Sequence, residues 1–599
     1  MDMSSAEYPV LTPNARVVME HRYLLKDREG KVVETPDELF RRVARVVAGA
    51  EERYAERERG RWEGRFYEAM AGMWFLPNSP TLMNAGTSIG QLAACFVLPV
   101  EDSIPGIFGA VANMATIHQT GGGTGFSFSR LRPAGDIVHE TGGIASGPVS
   151  FMRVFDVATD VVKQGGRRRG ANMGVLSADH PDILAFVTAK DDRSTLTNFN
   201  LSVAVPDAFM AAVEQDGAWE LVNPRTHEAV RTVSARELWE AICAAAWRNG
   251  DPGLLFIDEV NRHNPTPGLG SIEATNPCGE QPLLPYEACT LGSINLSRLA
   301  DGRRFDWERL DELVTLGVRF LDDVLDASRF PLREVEEATR RTRKVGLGVM
   351  GLAEALIKLG MRYSSDEARS FAARVMERIS LRAREASVAL AGERGSFPAF
   401  HESVWPGRGY NALRNASLTT VAPTGTLSII ANTSSGIEPL FALAYRRTAL
   451  DGTELPEVNG LFLEALRERG VDAAAVLPQV EETGSVQSVE QVPAEVRELF
   501  EVAFDVGPEA HVKMQAAVQA HTDNAVSKTV NLASTATVDD VRQVFELAYR
   551  LGCKGVTVFR YGCRGEQVLS LGKIPSFALG DEAARAHGEF TGECRVCST

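Results

Sequence analysis

The run Asn276-Pro277-Cys278-Gly279-Glu280 places an amide, a thiol and a carboxylate at every second position. In an extended segment, residues two apart point to the same side. The run can therefore aim all three groups at one small substrate. More thiols accompany it: Cys95 far upstream, Cys289 shortly downstream, and Cys594 and Cys597 at the end of the chain. Close cysteine pairs of this kind are more often catalytic or metal-binding than structural in a reducing compartment.

The composition is that of an acidic globular enzyme. The 599 residues are 44% hydrophobic, carry a net charge of −16 and include eight cysteines. The negative charge argues against a nucleic acid as the main partner, although nucleotides, which bind at local donors and helix ends, stay open. The N-terminus has no basic and apolar signal, and no apolar run approaches the ~20 residues of a membrane span. We expect a cytoplasmic protein that binds no membrane.

The chain divides into three parts. Residues 1–76 show the apolar spacing of amphipathic helices. Residues 77–564 alternate short apolar runs with helical runs, which favours an α/β sheet or barrel. Residues 565–599 lose this periodicity and are interrupted by glycines, which predicts a flexible tail. Three of the apolar runs predict buried strands: 201–205, 253–257 and 418–422.

With its cysteines, the chain resembles the catalytic subunit of ribonucleotide reductases. The resemblance implies a ten-stranded α/β barrel with Cys278 on a finger loop inside it. Removing a ribose 2′-hydroxyl requires a radical that abstracts the 3′-hydrogen, a base and two electrons. The resemblance assigns the thiyl radical to Cys278, the base for the 3′-hydroxyl to Glu280, and a hydrogen bond to the sugar hydroxyls to Asn276.

The same resemblance makes Cys95 and Cys289 the dithiol that is oxidised in each turnover. Cys594 and Cys597 would reduce that disulfide by thiol exchange and be reduced by a thioredoxin-like protein. The terminal Cys-x-x-Cys is by itself a weak signal, since half of a zinc site has the same spacing. Only the scattered Cys553 and Cys563 are left to complete such a site, and we expect no metal. Cys243 is expected to be an inert core thiol.

Substrate phosphates are expected at Ala422-Pro423-Thr424-Gly425-Thr426-Leu427-Ser428, where an apolar strand leads into an apolar helix. Backbone N–H groups, hydroxyls and a helix N-terminus together bind anions. In the family that the chain resembles, Pro423, Thr424, Gly425 and Thr426 match substrate-binding positions. Ser79 and Ala94 match two further positions there. A turn or helix-capping role is the other interpretation of Ser79.

The glycine-rich segment 118–133 lacks the Gly-Lys-Ser/Thr ending of a P-loop. It resembles the segment that runs past the dimer interface of the family into the specificity effector site. The resemblance implies that Asp102, Gln119 and Arg132 bind a deoxynucleotide or ATP effector, and that the chain forms a homodimer. The N-terminus is too short for the family's ATP-cone, so we expect specificity control without an on/off switch.

Gly346-Leu347-Gly348-Val349-Met350-Gly351 matches the dinucleotide fingerprint, with Asp366 at a suitable distance. One such match is weak evidence, because tight packing between a strand and a helix also requires glycines. The resemblance places the motif inside the reductase barrel, so we reject a nicotinamide site.

The end of the barrel region indicates the class of reductase. Residues 555–561 lack the tandem tyrosines of the class I radical relay, and residues 595–599 lack the glycine and tyrosine of class III. Lys554-Gly555-Val556-Thr557-Val558-Phe559-Arg560 instead resembles class II, which implies adenosylcobalamin as cofactor. The expected substrates are ribonucleotides, as diphosphates. Two alternatives stay open: a class I subunit with a separate radical subunit, and a nucleotide-binding regulator without catalysis.

Overall fold

The computed structural model describes residues 10–138, 143–164, 168–192, 194–449, 453–563 and 569–570. Cys594 and Cys597 lie outside the described residues, as does almost all of the predicted tail. Twenty α-helices are found in the described part: α1 (Pro13–Val18), α2 (Pro36–Ala48), α3 (Arg59–Ala71), α4 (Ser79–Asn84), α5 (Ile104–Gln119), α6 (Pro148–Val161), α7 (Ile183–Val187), α8 (Asp207–Glu214), α9 (Ala235–Asn249), α10 (Ile257–Arg262), α11 (Trp307–Ala327), α12 (Arg333–Thr342), α13 (Leu352–Leu359), α14 (Asp366–Arg394), α15 (Gly425–Ala431), α16 (Gly460–Glu468), α17 (Ala473–Thr483), α18 (Ala494–Leu499), α19 (Pro508–Gln519) and α20 (Val538–Arg550).

The N-terminal region is helical, as predicted. Thr35 begins α2 with a capping box: its side chain accepts from the N–H of Glu38, whose carboxylate accepts from the N–H of Thr35. Helices α2 and α3 pack against each other and against α11, where Phe66 and Phe320 meet edge to face at 4.9 Å. This packing attaches the N-terminal helices to the barrel through one hydrophobic core.

Ten strands form the central sheet, which confirms the predicted strand number. In chain order they are β1 (Phe75–Pro77), β2 (Cys95–Leu98), β3 (Gly123–Ser127), β4 (Asn172–Ser177), β5 (Phe199–Val205), β6 (Gly253–Phe256), β7 (Ala288–Asn295), β8 (Val345–Met350), β9 (Thr529–Leu532) and β10 (Gly555–Arg560). Short hairpins lie outside this sheet: Ile137–Val138 with Gly143–Ile144, Lys163–Gln164 with Arg168–Arg169, Ala218–Val222 with Ala229–Ser234, Ala274–Thr275 with Pro282–Leu283, and Ala300–Asp301 with Arg304–Phe305. Strands Ala444–Ala449, Thr453–Val458 and Leu569–Ser570 form a separate small sheet.

Apart from β1, which pairs in antiparallel fashion with β7, the sheet consists of two parallel halves. Strands β2 to β6 pair in parallel in chain order, while β7 pairs in parallel with β8 and β9 with β10. The halves meet in antiparallel fashion at β2–β7 and at β6–β10. Parallel strands need long crossovers, which explains why helices alternate with strands along the chain.

The predicted strand at 418–422 is reduced to two isolated bridges. Thr419 pairs with Leu347 of β8, and Val421 pairs with Val526 just before β9. These bridges connect β8 to β9 and complete the ring of strands. The segment forms no regular strand because its polar groups make hydrogen bonds inside the barrel. The Thr420 hydroxyl, for example, donates to the carbonyls of Glu280 and Ala525.

Two of the fingerprint-like glycines, Gly346 and Gly348, lie within β8, and the third, Gly351, caps the N-terminus of α13. A Cβ on Gly348 would stand 2.1 Å from the Thr420 carbonyl oxygen, and one on Gly346 would stand 2.6 Å from the Gln281 amide nitrogen. These glycines therefore allow the close approach of neighbouring backbone and of the finger. Their environment gives no support to a nicotinamide site.

A buried ion cluster joins the N-terminal region, α11, the start of β8 and the end of α14. Its members are Glu51, Asp322, Asp323, Asp326, Arg319, Arg343, Arg394 and Arg414. Asp322 lies at its centre, within 2.7 Å of Arg343 and 2.8 Å of Arg394. Burial raises the pKa of Asp322, but the neighbouring guanidiniums outweigh it and lower that pKa to about 2.

Replacing Asp322 with Asn should lower the free energy of unfolding by about 3–5 kcal/mol, because three guanidiniums lose a buried partner. The pKa of the folded carboxyl is below its ordinary value of 3.8, so its stabilising contribution is present above that pH. The contribution is lost as the pH falls towards 2, and the gap between wild type and variant should narrow there. Urea unfolding at several pH values measures both effects.

The matched control is Glu337→Gln, which removes an exposed carboxylate paired with Arg333 at 2.7 Å. Exposed pairs contribute little, so we expect a change of at most about 1 kcal/mol. Equal stability of Asp322→Asn and this control at neutral pH would contradict the role of the cluster.

The helices of the described part are too short or too polar to cross a membrane. None of them combines the length and the apolar content that crossing a bilayer requires.

Candidate active site

A finger between Ala274–Thr275 and Pro282–Leu283 carries the three predicted reactive groups. The finger is closed by two hydrogen bonds between Asn276 and Gln281: the Asn276 N–H donates to the Gln281 carbonyl at 3.1 Å, and the Gln281 N–H donates to Asn276 Oδ1 at 2.9 Å. Cys278 lies at the tip and is partly exposed, while Asn276 and Glu280 are buried.

The expectation of an extended run was wrong. The backbone turns at Gly279, which has φ of 82° and donates its N–H to the Asn276 carbonyl at 3.1 Å. Glycine adopts this left-handed conformation without the steric cost that a side chain would bring. The turn lets the carboxylate of Glu280 approach the thiol of Cys95. The amide, the thiol and the carboxylate of the finger therefore come together because the backbone turns back on itself, and not because alternate residues of an extended strand point to one side.

The finger is held from several sides of the barrel. Asn200 donates to the Pro277 carbonyl at 2.8 Å, and the Ala525 N–H donates to the Glu280 carbonyl at 2.9 Å. On β3, a Cβ on Gly125 would stand 1.7 Å from the Thr275 carbonyl oxygen. The glycines of this strand therefore allow the finger backbone to lie directly against the barrel wall.

Cys95 connects the finger to the sheet. The Asn276 amide nitrogen lies 3.1 Å from Cys95 Sγ, and that sulfur lies 3.9 Å from a carboxylate oxygen of Glu280. On the other side, Cys95 of β2 pairs in register with Cys289 of β7. Cross-strand neighbours have Cβ atoms about 4.5–5.5 Å apart, so the two thiols are placed to form a disulfide with a small adjustment. Neither sulfur forms a disulfide in the structure.

A cavity of about 760 Å³ opens over these groups, a volume that includes open solvent at its mouth. Ten of the predicted site residues line it: Cys278, Glu280, Asn276, Cys95, Ser79, Ala94, Pro423, Thr424, Gly425 and Thr426. We call it the substrate cavity. Cys289 does not line it, because Cys289 lies behind Cys95 and is fully buried.

One end of the substrate cavity is rich in hydroxyl and backbone donors. Thr424 precedes α15 with φ of 56°, and its hydroxyl oxygen accepts from the Gly436 N–H at 2.8 Å. The Ser79 and Tyr23 hydroxyls form a hydrogen bond with each other at 2.8 Å. Ser79 is the first residue of α4, whose N-terminal cap is the side chain of Asn78. The capping role considered for Ser79 therefore belongs to Asn78.

A second cavity, of about 910 Å³ with its open mouth included, reaches Cys278 as well. We call it the upper cavity. It shares Pro277, Cys278 and Pro423 with the substrate cavity, and its walls come from β5, β6 and β10. Cys278 thus lies at the junction of two cavities. The carbonyl oxygen of the Gln515 side chain, in the wall of the upper cavity, accepts no hydrogen bond from the described residues.

A buried ionic group supports the upper cavity. Lys528 donates to the carboxylate of Glu438 at 2.5 Å and lies 3.0 Å from the ring of His511. Burial lowers the pKa of His511 well below its ordinary value, and the neighbouring Lys528 cation lowers it further. His511 is therefore neutral, which lets it lie beside an ammonium group at no electrostatic cost.

Family models match most of the chain, one described as "Ribonucleotide reductase, barrel domain" over residues 93–411 and 408–559, the other as "Ribonucleotide reductase, all-alpha domain" over residues 10–90. This chain belongs to the ribonucleotide reductase family. The predicted family and barrel fold are thereby confirmed.

Two relatives show the likeness over nearly all of the chain. A vitamin B12-dependent ribonucleoside-diphosphate reductase of Mycobacterium tuberculosis is 54% identical over 582 residues, covering 97% of this chain and 83% of the relative. One of Thermoplasma acidophilum is 48% identical over 619 residues, covering 94% and 80%. The class Id ribonucleotide reductase alpha subunit of Actinobacillus ureae has a TM-score of 0.76 at 22% identity, covering 92% and 97%, which shows the shared fold.

Family membership implies nucleotide effectors as well as nucleotide substrates. Of the three predicted effector residues, Asp102 and Arg132 form an ion pair at 2.8 Å, and both side chains are partly exposed. Gln119 is exposed at the far end of α5, which begins next to Asp102. A helix of 16 residues spans about 24 Å, so one chain does not bring Gln119 to this pair.

The remaining cysteines of the described part lie in cores. Cys243, Cys553 and Cys563 are all buried, and burial raises the pKa of Cys553 to about 12. None of these three cysteines lines either cavity at Cys278, and none is paired in register with another cysteine as Cys289 is with Cys95. Within the described residues, no cluster of three or more His, Cys, Asp or Glu side chains is suited to hold a metal ion.

Several side chains around the site escaped prediction from the sequence. They are Tyr23 beside Ser79, Asn200 of β5, which donates to the finger, Gln515 and Lys528 at the upper cavity, and the pair Glu287–Lys344 behind Cys289. All except Glu287, which lies two residues before Cys289, come from segments distant in sequence from the group that they touch. Lys344 gave the best available signal, since a lysine directly before a buried strand needs a buried partner.

Proposed function

We propose that this chain reduces ribonucleotides, as diphosphates, to 2′-deoxyribonucleotides and so supplies precursors for DNA synthesis. The observation that carries the proposal is the position of Cys278 between two cavities, one of which also contains Cys95, Asn276 and Glu280. The two relatives are named vitamin B12-dependent ribonucleoside-diphosphate reductases, which supports both the reduction of ribonucleoside diphosphates and a cobalamin cofactor.

The substrate cavity supports a division of roles around the ribose. The Cys278 sulfur, as a thiyl radical, takes the 3′-hydrogen of a sugar bound beneath it. Glu280 accepts the proton of the 3′-hydroxyl, and Asn276 donates a hydrogen bond to the sugar. Cys95 gives a proton to the departing 2′-hydroxyl, which leaves as water. Cys95 and Cys289 then close to a disulfide and supply two electrons and the proton that takes the place of the hydroxyl at C2′. Glu280 returns its proton to the 3′-oxygen, and Cys278 returns the hydrogen to C3′. The hydroxyls of Ser79, Thr424 and Thr426 and the N–H groups at the start of α15 hold the phosphates.

Adenosylcobalamin, when bound, would supply the radical chemistry that makes the Cys278 sulfur a thiyl radical. The upper cavity fits such a group. It reaches the thiol without passing through the substrate cavity, and its walls offer the amide of Asn200, the hydroxyls of Ser202 and Thr557, and the unsatisfied Gln515 oxygen. These side chains would hold the cofactor, and the packed finger would keep water away from the radical.

The alternative of a class I subunit is not favoured. Relatives that are 48–54% identical carry the name vitamin B12-dependent, whereas the class Id structure is 22% identical and shows the fold alone. Deoxynucleotide formation by the isolated chain with dithiothreitol and adenosylcobalamin is the test of the proposed function. A chain that binds nucleotides yet forms no deoxynucleotide from any ribonucleoside di- or triphosphate would instead be a nucleotide-binding regulator.

The proposal extends to the tail, residues 565–599. Replacing Cys594 and Cys597 together with Ser should reduce turnover driven by a thioredoxin-like protein at least about tenfold, because the relay of thiol exchange is interrupted. Turnover with dithiothreitol should stay near that of wild type, since a small dithiol can enter the substrate cavity. Initial rates with the two reductants measure this. Equal loss with both reductants would show that the tail does more than carry electrons.

A homodimer in the cytoplasm is also proposed. Helices α5 and α6 pack together and expose large apolar side chains, among them Phe108, which is 50% exposed, and Val157, which is 62% exposed. Exposed apolar clusters of this kind are typical of association surfaces. A second chain seated there would bring its own Gln119 towards the Asp102–Arg132 pair, which explains why the three predicted effector residues lie apart in one chain. Sedimentation analysis of the purified chain tests this.

A further inference from the structure

The two sulfurs of the active-site pair have different surroundings. Cys95 Sγ lies at the substrate cavity, between the side chains of Asn276 and Glu280. Cys289 is fully buried and lines neither the substrate cavity nor the upper cavity. Its Sγ faces backbone carbonyls, those of Thr290 at 3.5 Å and of Lys344 at 3.7 Å. A reagent in the substrate cavity therefore reaches the Cys95 sulfur first.

A buried ion pair lies behind Cys289. The Lys344 ammonium is 2.6 Å from the carboxylate of Glu287, and their side chains are 1% and 2% exposed. Glu287 is fully engaged, since its carboxylate also accepts from the Leu284 N–H at 2.7 Å and from the Thr342 hydroxyl at 2.8 Å. This network holds the Lys344 cation at Glu287, which lies two residues before Cys289 in the chain. Lys344 itself directly precedes β8, whose first residue, Val345, pairs with Thr290 next to Cys289.

A buried ion pair at this place needs a reason beyond stability. Replacing such pairs by apolar side chains is often neutral or stabilising, so burial of two charges is weak evidence of a structural role. The pair lies next to a thiol that has to become a thiolate during disulfide exchange. Burial raises the pKa of Cys289 well above its ordinary value, the Lys344 cation opposes that rise, and the carboxylates of Glu287 and Glu280 add to it.

We propose that Lys344 is a positioning residue that makes the Cys95–Cys289 disulfide open in one direction, with Cys95 attacked and Cys289 leaving as a thiolate. The inference rests on the proposed function, in which this disulfide forms at each turnover. When the disulfide is reduced, Cys95 is the sulfur that is attacked and Cys289 is the sulfur that leaves. The Lys344 ammonium of the ion pair stabilises the leaving thiolate.

The exchange balances in two steps. The thiolate of an incoming dithiol attacks Cys95 Sγ, the Sγ–Sγ bond breaks, and the Cys289 thiolate leaves beside the Lys344 ammonium. The second thiolate of the reductant then attacks the mixed disulfide, forms the reductant's own disulfide and releases the Cys95 thiolate. Two electrons pass from the reductant to the protein, and the two protons of the reductant end on Cys95 and Cys289. Exchange is faster when the leaving thiolate is better stabilised, which is what the fixed cation supplies.

The first test maps the attacked sulfur without any turnover. The full chain carrying Cys594→Ser and Cys597→Ser is oxidised with diamide, treated briefly with 2-mercaptoethanol, quenched in acid and analysed by peptide mass spectrometry. We expect the mercaptoethanol adduct on Cys95 and a free thiol at Cys289. An adduct that is equally abundant or more abundant on Cys289 would overturn the proposed direction.

The second test isolates the charge of Lys344. Lys344→Met alone leaves Glu287 buried without its cation and can impair folding, so Lys344→Met is combined with Glu287→Gln. This neutral double variant should reduce its Cys95–Cys289 disulfide at least about tenfold more slowly with dithiothreitol. Glu287→Gln alone keeps the cation and should be as fast as wild type or faster. Lys344→Arg keeps the charge and should recover most of the rate.

Two readouts separate this effect from structural damage. A pre-reduced double variant should complete its first turnover at the wild-type rate, with an unchanged nucleotide KM, while later turnovers slow with re-reduction. A double variant that reduces its disulfide at the wild-type rate would overturn the role of Lys344. Failure of the disulfide to form at all contradicts the proposed dithiol itself. Correct adduct mapping in a chain that makes no deoxynucleotide contradicts the proposed function and leaves the direction of exchange standing.

Discussion

Cys278→Ser is expected to abolish deoxynucleotide formation, with turnover reduced at least about 10³-fold, which corresponds to about 4 kcal/mol in the barrier. An alcohol O–H bond is much stronger than a thiol S–H bond, so serine cannot accept and pass on the radical. The substitution changes one atom at a partly exposed position between the two cavities. Nucleotide affinity and thermal stability should therefore stay near those of wild type.

The measurement compares product formation with nucleotide binding in the same preparation. Cys243→Ala is the matched control, because Cys243 lies in α9, is fully buried and lines neither cavity at Cys278. It should keep the turnover number while losing some stability through the small void it creates. Sustained multiple turnover by Cys278→Ser would rule out the radical role of this cysteine.

The residues of the substrate cavity were predictable because they stand in compact motifs. The finger run and the segment 422–428 each carry several polar groups within a few positions, and both line one cavity. Cys95 and Cys289 were predictable as a pair only through the family resemblance. What brings them together is the register between β2 and β7, which is set by strand pairing across almost two hundred positions of chain.

Other features depended on tertiary contacts that no local pattern encodes. The turn at Gly279 exists because the finger backbone is fixed on both sides by the barrel, and a pattern of alternate residues does not contain that information. The sequence of segment 418–422 predicts a strand. In the structure this segment forms only isolated bridges, and the Thr420 hydroxyl donates a hydrogen bond to the finger. The glycines of β8 are likewise needed because neighbouring segments lie too close for a side chain. This close packing explains why the dinucleotide fingerprint matched without a dinucleotide site.

The asymmetry of the dithiol shows what the structure adds to the motif. In the sequence, Cys95 and Cys289 are equivalent members of the proposed redox pair. In the fold, one faces the substrate cavity and the other faces a buried ion pair whose members, Glu287 and Lys344, come from either side of α12. The sequence order of these residues carries no sign of this arrangement, since the charges meet only when β8 pairs with β7.

Omitting adenosylcobalamin is expected to remove all turnover of the purified chain, and adding it in dim light should restore turnover without a second protein. The reason is the position of Cys278, whose thiol needs a partner that abstracts its hydrogen. The upper cavity gives such a partner a route to the thiol that is separate from the nucleotide. Product formation with and without the cofactor, using dithiothreitol as reductant, measures this dependence.

A variant that fills the upper cavity tests the same argument through binding. Thr557 of β10 lines this cavity and not the substrate cavity, so Thr557→Trp should weaken cobalamin binding at least about tenfold, the equivalent of 1.4 kcal/mol, while nucleotide binding is retained. Thr232→Trp, on the exposed hairpin strand Ala229–Ser234, is the matched control and should change neither affinity. Unchanged cobalamin affinity in Thr557→Trp would place the cofactor elsewhere.

A different result would favour the class I alternative. That result is turnover that requires a separate metal-containing subunit and does not require adenosylcobalamin. Cys278 would then receive its radical by another route.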